Sequence, residues 1–352
     1  MTGICLFAKQ AGFTSFSSLY TIKRALGTKK VGHTGTLDSF ADGLLVVLSD
    51  SLTRLVSCIT DFDKTYEAVI KFGTETDTLE PTGNIVKRTK LPTDVEVFTN
   101  LLKFQGEMEQ IPPLFSALHI DGQRASDIAR SGKNIEMPKR KIKIIDLKVL
   151  NVRMSCVDGV ESSCSKCDNI NCQKFITHMH IRIKVSKGTY IRSLARDIGQ
   201  ACGSSAHLIA LRRIEVGPFK LKDAAGVDFL NEFSIDKAIE QELIFSKDKN
   251  EVFNKIENKR LEAETEQILQ KEVRDKIKDF TPALAKICGF YPIQLKEESE
   301  KAFFSGKPLY RDMFDKTAPS AKVSQAVFCK DGYFAGVTQG CKYGYVIPKS
   351  VK

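Results

Sequence analysis

The chain contains no tryptophan, so any surface that stacks flat rings must use Tyr, Phe, His or Arg. No apolar run reaches the roughly 18 residues that a membrane-spanning helix needs. The opening Met1-Thr2-Gly3-Ile4-Cys5-Leu6-Phe7 lacks the charged start and long apolar core of an export signal and reads as a first strand. No P-loop or dinucleotide fingerprint precedes about residue 225, which removes the common nucleotide-dependent classes. What is present describes a globular protein. At 352 residues, 42% hydrophobic and 27% charged, the chain can build two domains with proper cores. Ten scattered cysteines without an export signal read as reduced thiols in a cytoplasm. A net charge of +10 suits a polyanionic partner bound through phosphate contacts and counterion release.

One segment stands out against this background. Lys29-Lys30-Val31-Gly32-His33-Thr34-Gly35-Thr36-Leu37-Asp38 is a basic, glycine-punctuated loop that ends on a carboxylate and runs into an apolar strand, Leu44 to Leu48. Loops held by rigid strands carry a large share of binding and catalytic groups. Gly32 and Gly35 have no Cβ and let a bulky polyanion approach the backbone, while Lys29, Lys30 and His33 supply donors for phosphate. Asp38 is the only acidic residue from Gly27 to Ala41. Taken alone, such an Asp reads first as the cap of an ordinary Leu-Asp-Ser turn. The string around it changes that reading.

Gly32-His33-Thr34-Gly35-Thr36-Leu37-Asp38, continued by Ala41-Asp42-Gly43-Leu44-Leu45, resembles the catalytic motif of the TruB-type tRNA pseudouridine synthases. It departs at Ser39, where that family usually has Pro, and at Asp42, often Thr. Further resemblance lies in Thr76-Asp77-Thr78 with Gly83, where Glu80 stands in place of the usual Asp. It continues in Ile111-Pro112-Pro113-Leu114-Phe115-Ser116-Ala117-Leu118, in Ser186-Lys187-Gly188-Thr189-Tyr190-Ile191-Arg192 and in Ala206-His207-Leu208-Ile209-Ala210-Leu211-Arg212-Arg213. The resemblance implies an α+β pseudouridine synthase fold: a mixed, largely antiparallel sheet flanked by helices, with a small C-terminal β-barrel. The implied divisions are a catalytic domain 1–228, with a Cys-rich hairpin insertion at 155–174, a charged helical connector 229–284, and a PUA-like RNA-binding domain 285–352.

Local patterning agrees with much of this. Phe16, Leu19, Ile22 and Leu26 recur at helical spacing between Thr14 or Ser15 as N-cap and Gly27 as stop. Tyr66 to Phe72, Lys141 to Arg153 and Met179 to Val185 alternate as strands. Glu232 to Lys278 is densely and mixedly charged and predicts solvent-exposed helices. Short strands follow from Tyr291, and Asp331-Gly332 is a hairpin turn signal.

The reaction implied by the resemblance cuts N1–C1′ of a uridine, turns the uracil and joins C5 to C1′. No atoms are gained and no redox change occurs, so no cofactor is expected. In the family the residue at Asp38 is the nucleophile. Attack at C6, attack at C1′ and elimination to a glycal remain open. Arg192 is the family-matched partner of Asp38, suited to holding a carboxylate in bidentate fashion, and Asp77 joins that ion network by analogy. Tyr66 matches the family's active-site tyrosine, able to stack on uracil and to handle the C5 proton. Leu211 is the expected apolar wall, and Lys9 matches a lysine near the site. Because the sugar–base bond is reached only by flipping the nucleotide, His33 is a candidate to fill the vacated space. Arg212, Arg213 and Lys30 are candidates for phosphate contact. The expected partner is the T-arm of tRNA, with no membrane, no obligatory protein partner and a monomeric, cytoplasmic enzyme. Two other readings share the scaffold: a non-catalytic RNA-binding or tRNA-folding protein, and the related RNA-guided class. The motif wording and the lack of an N-terminal extension point to the guide-free type.

Cys156, Cys164, Cys167 and Cys172 lie in a segment poor in large apolar residues. Four thiols near a hairpin tip could bind one structural zinc, or the loop could carry free thiols. The irregular spacing decides neither, and no metal site is assigned.

Overall fold

The computed structural model describes residues 1–116, 118–120, 122–131, 137–156, 173–247, 261–316, 322–339 and 342–347. The first strand β1 (Ile4–Lys9) leads to α1 (Ser15–Leu26), β2 (Val31–His33), β3 (Asp42–Ser49), α2 (Val56–Thr60) and β4 (Lys64–Phe72). Then come β5 (Thr74–Thr76), β6 (Ile85–Arg88), α3 (Asp94–Leu101), β7 (Gly106–Gln110), β8 (His119–Ile120), β9 (Gln123–Arg124) and α4 (Ala125–Arg130). The long hairpin β10 (Arg140–Ser155) and β11 (Phe175–Val185) precedes α5 (Ile191–Ala201), β12 (Ala206–Val216) and β13 (Phe219–Lys220). Two charged helices, α6 (Ile235–Lys247) and α7 (Ala263–Lys276), lead to α8 (Pro282–Ile287) and β14 (Tyr291–Gln294). Helix α9 (Glu300–Phe304) and strands β15 (Ser324–Phe328), β16 (Phe334–Gln339) and β17 (Lys342–Val346) complete the described elements.

The main sheet runs β1-β3-β12-β4-β11-β10-β7, with β2 added to β3 and β13 to β12. It is antiparallel except where β12 meets β3, Arg212 opposite Asp42 and Arg213 opposite Gly43. That parallel contact requires glycine: Gly43 has φ 107°, and a Cβ there would lie 2.4 Å from the Arg213 carbonyl oxygen. β1 occupies one edge of β3 throughout. On the other edge β2 pairs near the C-terminal end of β3 and β12 near its start. Residues 34–41 leave the sheet between β2 and β12, which opens a cleft there.

Local chemistry explains α1. Thr14 accepts the Ser17 N–H as N-cap, and Gly27 closes the helix at φ 63°; caps of this kind are worth about 1 kcal/mol each. Helix α5 buries Ile191, Leu194, Ala195 and Ile198 against one face of the sheet. The opposite face of β4 and β12, through Val69, Ile209 and Ala210, packs against Ile235 and Ala238 of α6.

The charged helices expected over 229–284 form as α6 and α7, and both are also docked on the body of the protein. Leu269 and Val273 of α7, one helical turn apart, are fully buried with Phe7, Leu19 and Ile22. Burial of that completeness stabilises by about 2 kcal/mol per side chain. Two apolar positions suffice to dock a helix whose remaining surface is charged. The C-terminal strands form an open four-stranded sheet, β14-β15-β16-β17. Among the described residues β14 and β17 do not pair, so the expected barrel closure is not seen. This sheet is fused to the rest through Phe280, Phe328 and Phe334, which pack with Leu6, Leu44 and Val46. No helix among the described residues is long and apolar enough to cross a membrane.

Of the four insertion cysteines, Cys164, Cys167 and Cys172 lie outside the described residues. Cys156 is the last described residue before that segment, and the described Cys5, Cys202, Cys288 and Cys329 are free thiols. Among the described residues no group of three or more His, Cys, Asp or Glu is arranged to hold a metal ion.

Candidate active site

The loop carrying Asp38 is fixed through its backbone. The Ser15 hydroxyl donates to the Leu37 carbonyl at 3.0 Å and accepts the Leu37 N–H at 2.8 Å. The Gly12 N–H donates to the Ser39 carbonyl at 2.8 Å, and the Ala41 N–H closes a turn on the Asp38 carbonyl at 3.2 Å. Arg213 donates to the Gly35 carbonyl at 3.0 Å and to the Leu44 carbonyl at 2.8 Å. With the main chain held, the Asp38 side chain is free for chemistry.

Its partner is Arg192, whose Nε lies 3.0 Å from Asp38 Oδ2 and whose Nη2 donates to Oδ1 at 3.1 Å. This bidentate pair is charge-assisted and directional. Arg192 sits in the first turn of α5, not at a strand end. It is 5% exposed, held by further bonds to the carbonyls of Thr78 (2.9 Å) and Phe115 (2.9 Å). Burial works against its charge, but Asp38 and Glu80 more than offset this and raise its pKa.

Glu80 is the residue that sequence reasoning missed. Its Oε2 lies 3.6 Å from Arg192 Nη1, so it joins the Asp38–Arg192 pair directly, with the Asp77 charge acting on it from nearby. Asp77 instead accepts the Asn84 N–H at 2.8 Å and caps its own turn. The departure from the resembled motif at position 80 was the available signal. Burial pushes Glu80 up from 4.5 to about 7, Arg192 opposing and Asp38 adding to the shift. The consequence for stability has a definite sign. Between about pH 4.5 and 7 the folded chain keeps a proton that the unfolded chain releases, so stability falls as pH rises through that window. Glu80→Gln should remove this dependence. Melting curves should show the variant gaining on wild type from pH 4.5 to 7, with a constant difference outside the window; parallel curves throughout would refute the assignment.

Tyr66, 9% exposed, and Leu211, 6% exposed, stand on neighbouring strands β4 and β12 and line the same cavity as Asp38 and Arg192. The cavity measures about 870 Å³ and is also walled by Thr36, Lys64 and Tyr190. His33 lies half-buried at the end of β2, its Nδ1 without a hydrogen-bond partner among the described residues. Burial and the Arg213 charge lower its pKa, so the ring is neutral at neutral pH. Lys30 is exposed beside this strand.

Three further residues singled out by the sequence hold the structure around the site. Lys9 is fully buried, and its ammonium donates to the carbonyls of Ala41, Gln10 and Ser39, so it ties the Asp38 loop from beneath. Arg212 points to the opposite side of the sheet, paired with Asp42 at 2.7 and 2.6 Å and set over the Phe233 ring. Arg213 lines the cavity but is 2% exposed, its guanidinium donating to the two loop and strand carbonyls already named. Neither arginine is available as a surface phosphate contact.

Comparison with known proteins accords with this geometry. Residues 23–191 match the model of the TruB family pseudouridylate synthase N-terminal domain, and 192–245 that of the tRNA pseudouridylate synthase B C-terminal domain. A protein of Treponema denticola named tRNA pseudouridine synthase B is 50% identical over 228 residues, 65% of this chain and 63% of the relative. The chain thus spans under two-thirds of that relative's length. Its namesake in Bordetella avium is 40% identical over 68% of this chain and 90% of its own. Among solved structures, a Cbf5-Nop10-Gar1 complex shares the fold at TM-score 0.56 and 20% identity, covering 96% of this chain and 78% of that one. An H/ACA RNP bound to a substrate RNA containing 2'-deoxyuridine does so at 0.56 and 19%, covering 97% and 79%. With the two family models matched consecutively over residues 23–245 and a 40% identical relative covered over 90% of its length, this chain belongs to the TruB family of pseudouridylate synthases.

Proposed function

We propose that the chain converts the T-loop uridine of tRNA known as position 55 to pseudouridine, with Asp38 as the nucleophile. The observation that carries this reading is the bidentate Asp38–Arg192 pair at a cavity walled by Tyr66 and Leu211. A volume of about 870 Å³ lies within the roughly 300–1,000 Å³ usual for small-molecule sites. A flipped nucleoside therefore fits between an ionic floor and apolar walls. N1–C1′ breaks and C5–C1′ forms; N1 gains a proton and C5 loses one to solvent. The relatives' names support tRNA as the substrate class. The chain acts without a guide RNA. The C-terminal region from about residue 285 extends the RNA contact, with the exposed Lys307, Tyr310 and Arg311 offering two phosphate donors and a ring.

The test is release of tritium from C5-labelled uridine in a T-arm transcript by the purified protein alone. Background release by wild type, with or without added guide RNA, defeats the reading. In the same assay Tyr66→Phe keeps the ring and removes the hydroxyl. If that hydroxyl handles the C5 proton, kcat should fall by about 10²-fold or more with tRNA affinity unchanged; an unaltered kcat would leave Tyr66 only a stacking role.

A further inference from the structure

We infer that Gln241, on the helix behind the sheet, is a positioning residue for the Asp38 loop. This rests on the reading of Asp38 as the reacting carboxylate. Gln241 Nε2 donates to the Phe40 carbonyl at 3.0 Å. That carbonyl belongs to the turn closed by the Ala41 N–H on the Asp38 carbonyl, so the bond restrains the peptide two residues from the reacting side chain. Phe40 itself is fully buried. The segment 231–241 grips the loop's exit a second time: Arg212, paired with Asp42, also donates to the Asn231 carbonyl at 2.9 Å.

Gln241 is not needed to dock its own helix. α6 is held to the sheet by Ile235 and Ala238 against Val69, Ile209 and Ala210, and by Glu242 with Lys71 at 3.2 Å. Removing the Gln241 amide therefore leaves the helix in place and frees one loop carbonyl. A reacting group must be held within a few tenths of an ångström, and a displacement of about 1 Å can cost 10²-fold in rate. The carbonyls of residues 35, 37, 39 and 41 are held by Arg213, Ser15, Gly12 and Lys9 from elements up to β12. The carbonyl of residue 40, by contrast, is held by a side chain of α6, which follows β12 in the chain. The charged stretch that looks like a connector thus reaches into the active site from behind.

The experiment compares wild type with Gln241→Met, near-isosteric and unable to donate, and Gln241→Glu, which cannot donate while ionised and is assayed at alkaline pH. Both should lower kcat by on the order of 10- to 100-fold, while KM, tRNA affinity and melting temperature stay close to wild type. Hydrogen exchange should quicken at the amides of residues 36–41 and remain unchanged within α6. Unaltered kcat with unaltered loop exchange overturns the inference. So does a kcat loss accompanied by lower melting temperature and exposure of α6, which would mean a merely structural role. Should wild type itself prove inactive, the functional reading fails separately, and the exchange of the loop still decides whether Gln241 holds it.

Discussion

Replacing Asp38 by Asn should reduce tritium release by at least about 10⁴-fold while leaving tRNA binding within a few-fold of wild type. The substitution is close to isosteric and its carbonyl still accepts one bond from Arg192. The loop should keep its shape, because Ser15, Gly12, Lys9 and Arg213 hold main-chain groups and not the Asp38 side chain. The side chain is 31% exposed, so a neutral amide there strands no buried charge apart from leaving Arg192 with Glu80 alone. On the proposed reading, only the reacting carboxylate is lost. An amide can neither bond covalently to the substrate nor accept a proton as a carboxylate does, so each of the three open routes would lose its reacting group. Single-turnover tritium release, with filter binding in parallel, measures both quantities. A variant that retains a tenth of wild-type turnover would place the reacting group elsewhere.

What could be read from the sequence follows the range of the interaction responsible. The N-cap Thr14 and stop Gly27 act within one turn, so α1 emerges with both ends correct. The hairpin Asp331-Gly332 is equally local: Asp331 Oδ1 accepts the Tyr333 N–H at 3.0 Å, and Gly332 sits at φ 84°. The Asp38 loop announces itself through a long contiguous string. Failures begin where facing or long-range pairing decides. Arg212 and Arg213 are adjacent on one strand, so their side chains leave opposite faces; basic character alone could not say that one meets Asp42 and the other the Gly35 carbonyl. Glu80 meets Arg192 while Asp77, three residues earlier, accepts from Asn84, and the local string does not say which of the two carboxylates turns inward. Lys9 matches a lysine near the site, but its burial beneath the Asp38 loop follows from the Ser39 and Ala41 carbonyls it meets, a long-range pairing that the local string does not encode. α7 looks solvated because only Leu269 and Val273 go fully inward. Closure of the C-terminal strands is a pairing between distant segments, which spacing along the chain does not encode.

Arg192→Lys should be the most damaging substitution outside Asp38, lowering kcat by on the order of 10³-fold. It should also destabilise the fold by about 3 kcal/mol. The guanidinium serves two carboxylates and two main-chain carbonyls from a position that is 5% exposed. An ammonium on a four-carbon stem reaches at most part of that set and cannot match a carboxylate in bidentate fashion. The carbonyls of Thr78 and Phe115 would lose buried donors, and Asp38 and Glu80 would face each other with less positive charge between them. The two losses can be separated. Adding Glu80→Gln to Arg192→Lys removes one of the stranded carboxylates, so the double variant should regain stability relative to the single one in denaturant titrations. The rate should not return, because the geometry around Asp38 stays unrepaired. Such a cycle reports the coupling directly. If both stability and turnover recover together, Arg192 acts only by neutralising Glu80; if neither moves, the 3.6 Å contact carries no energy.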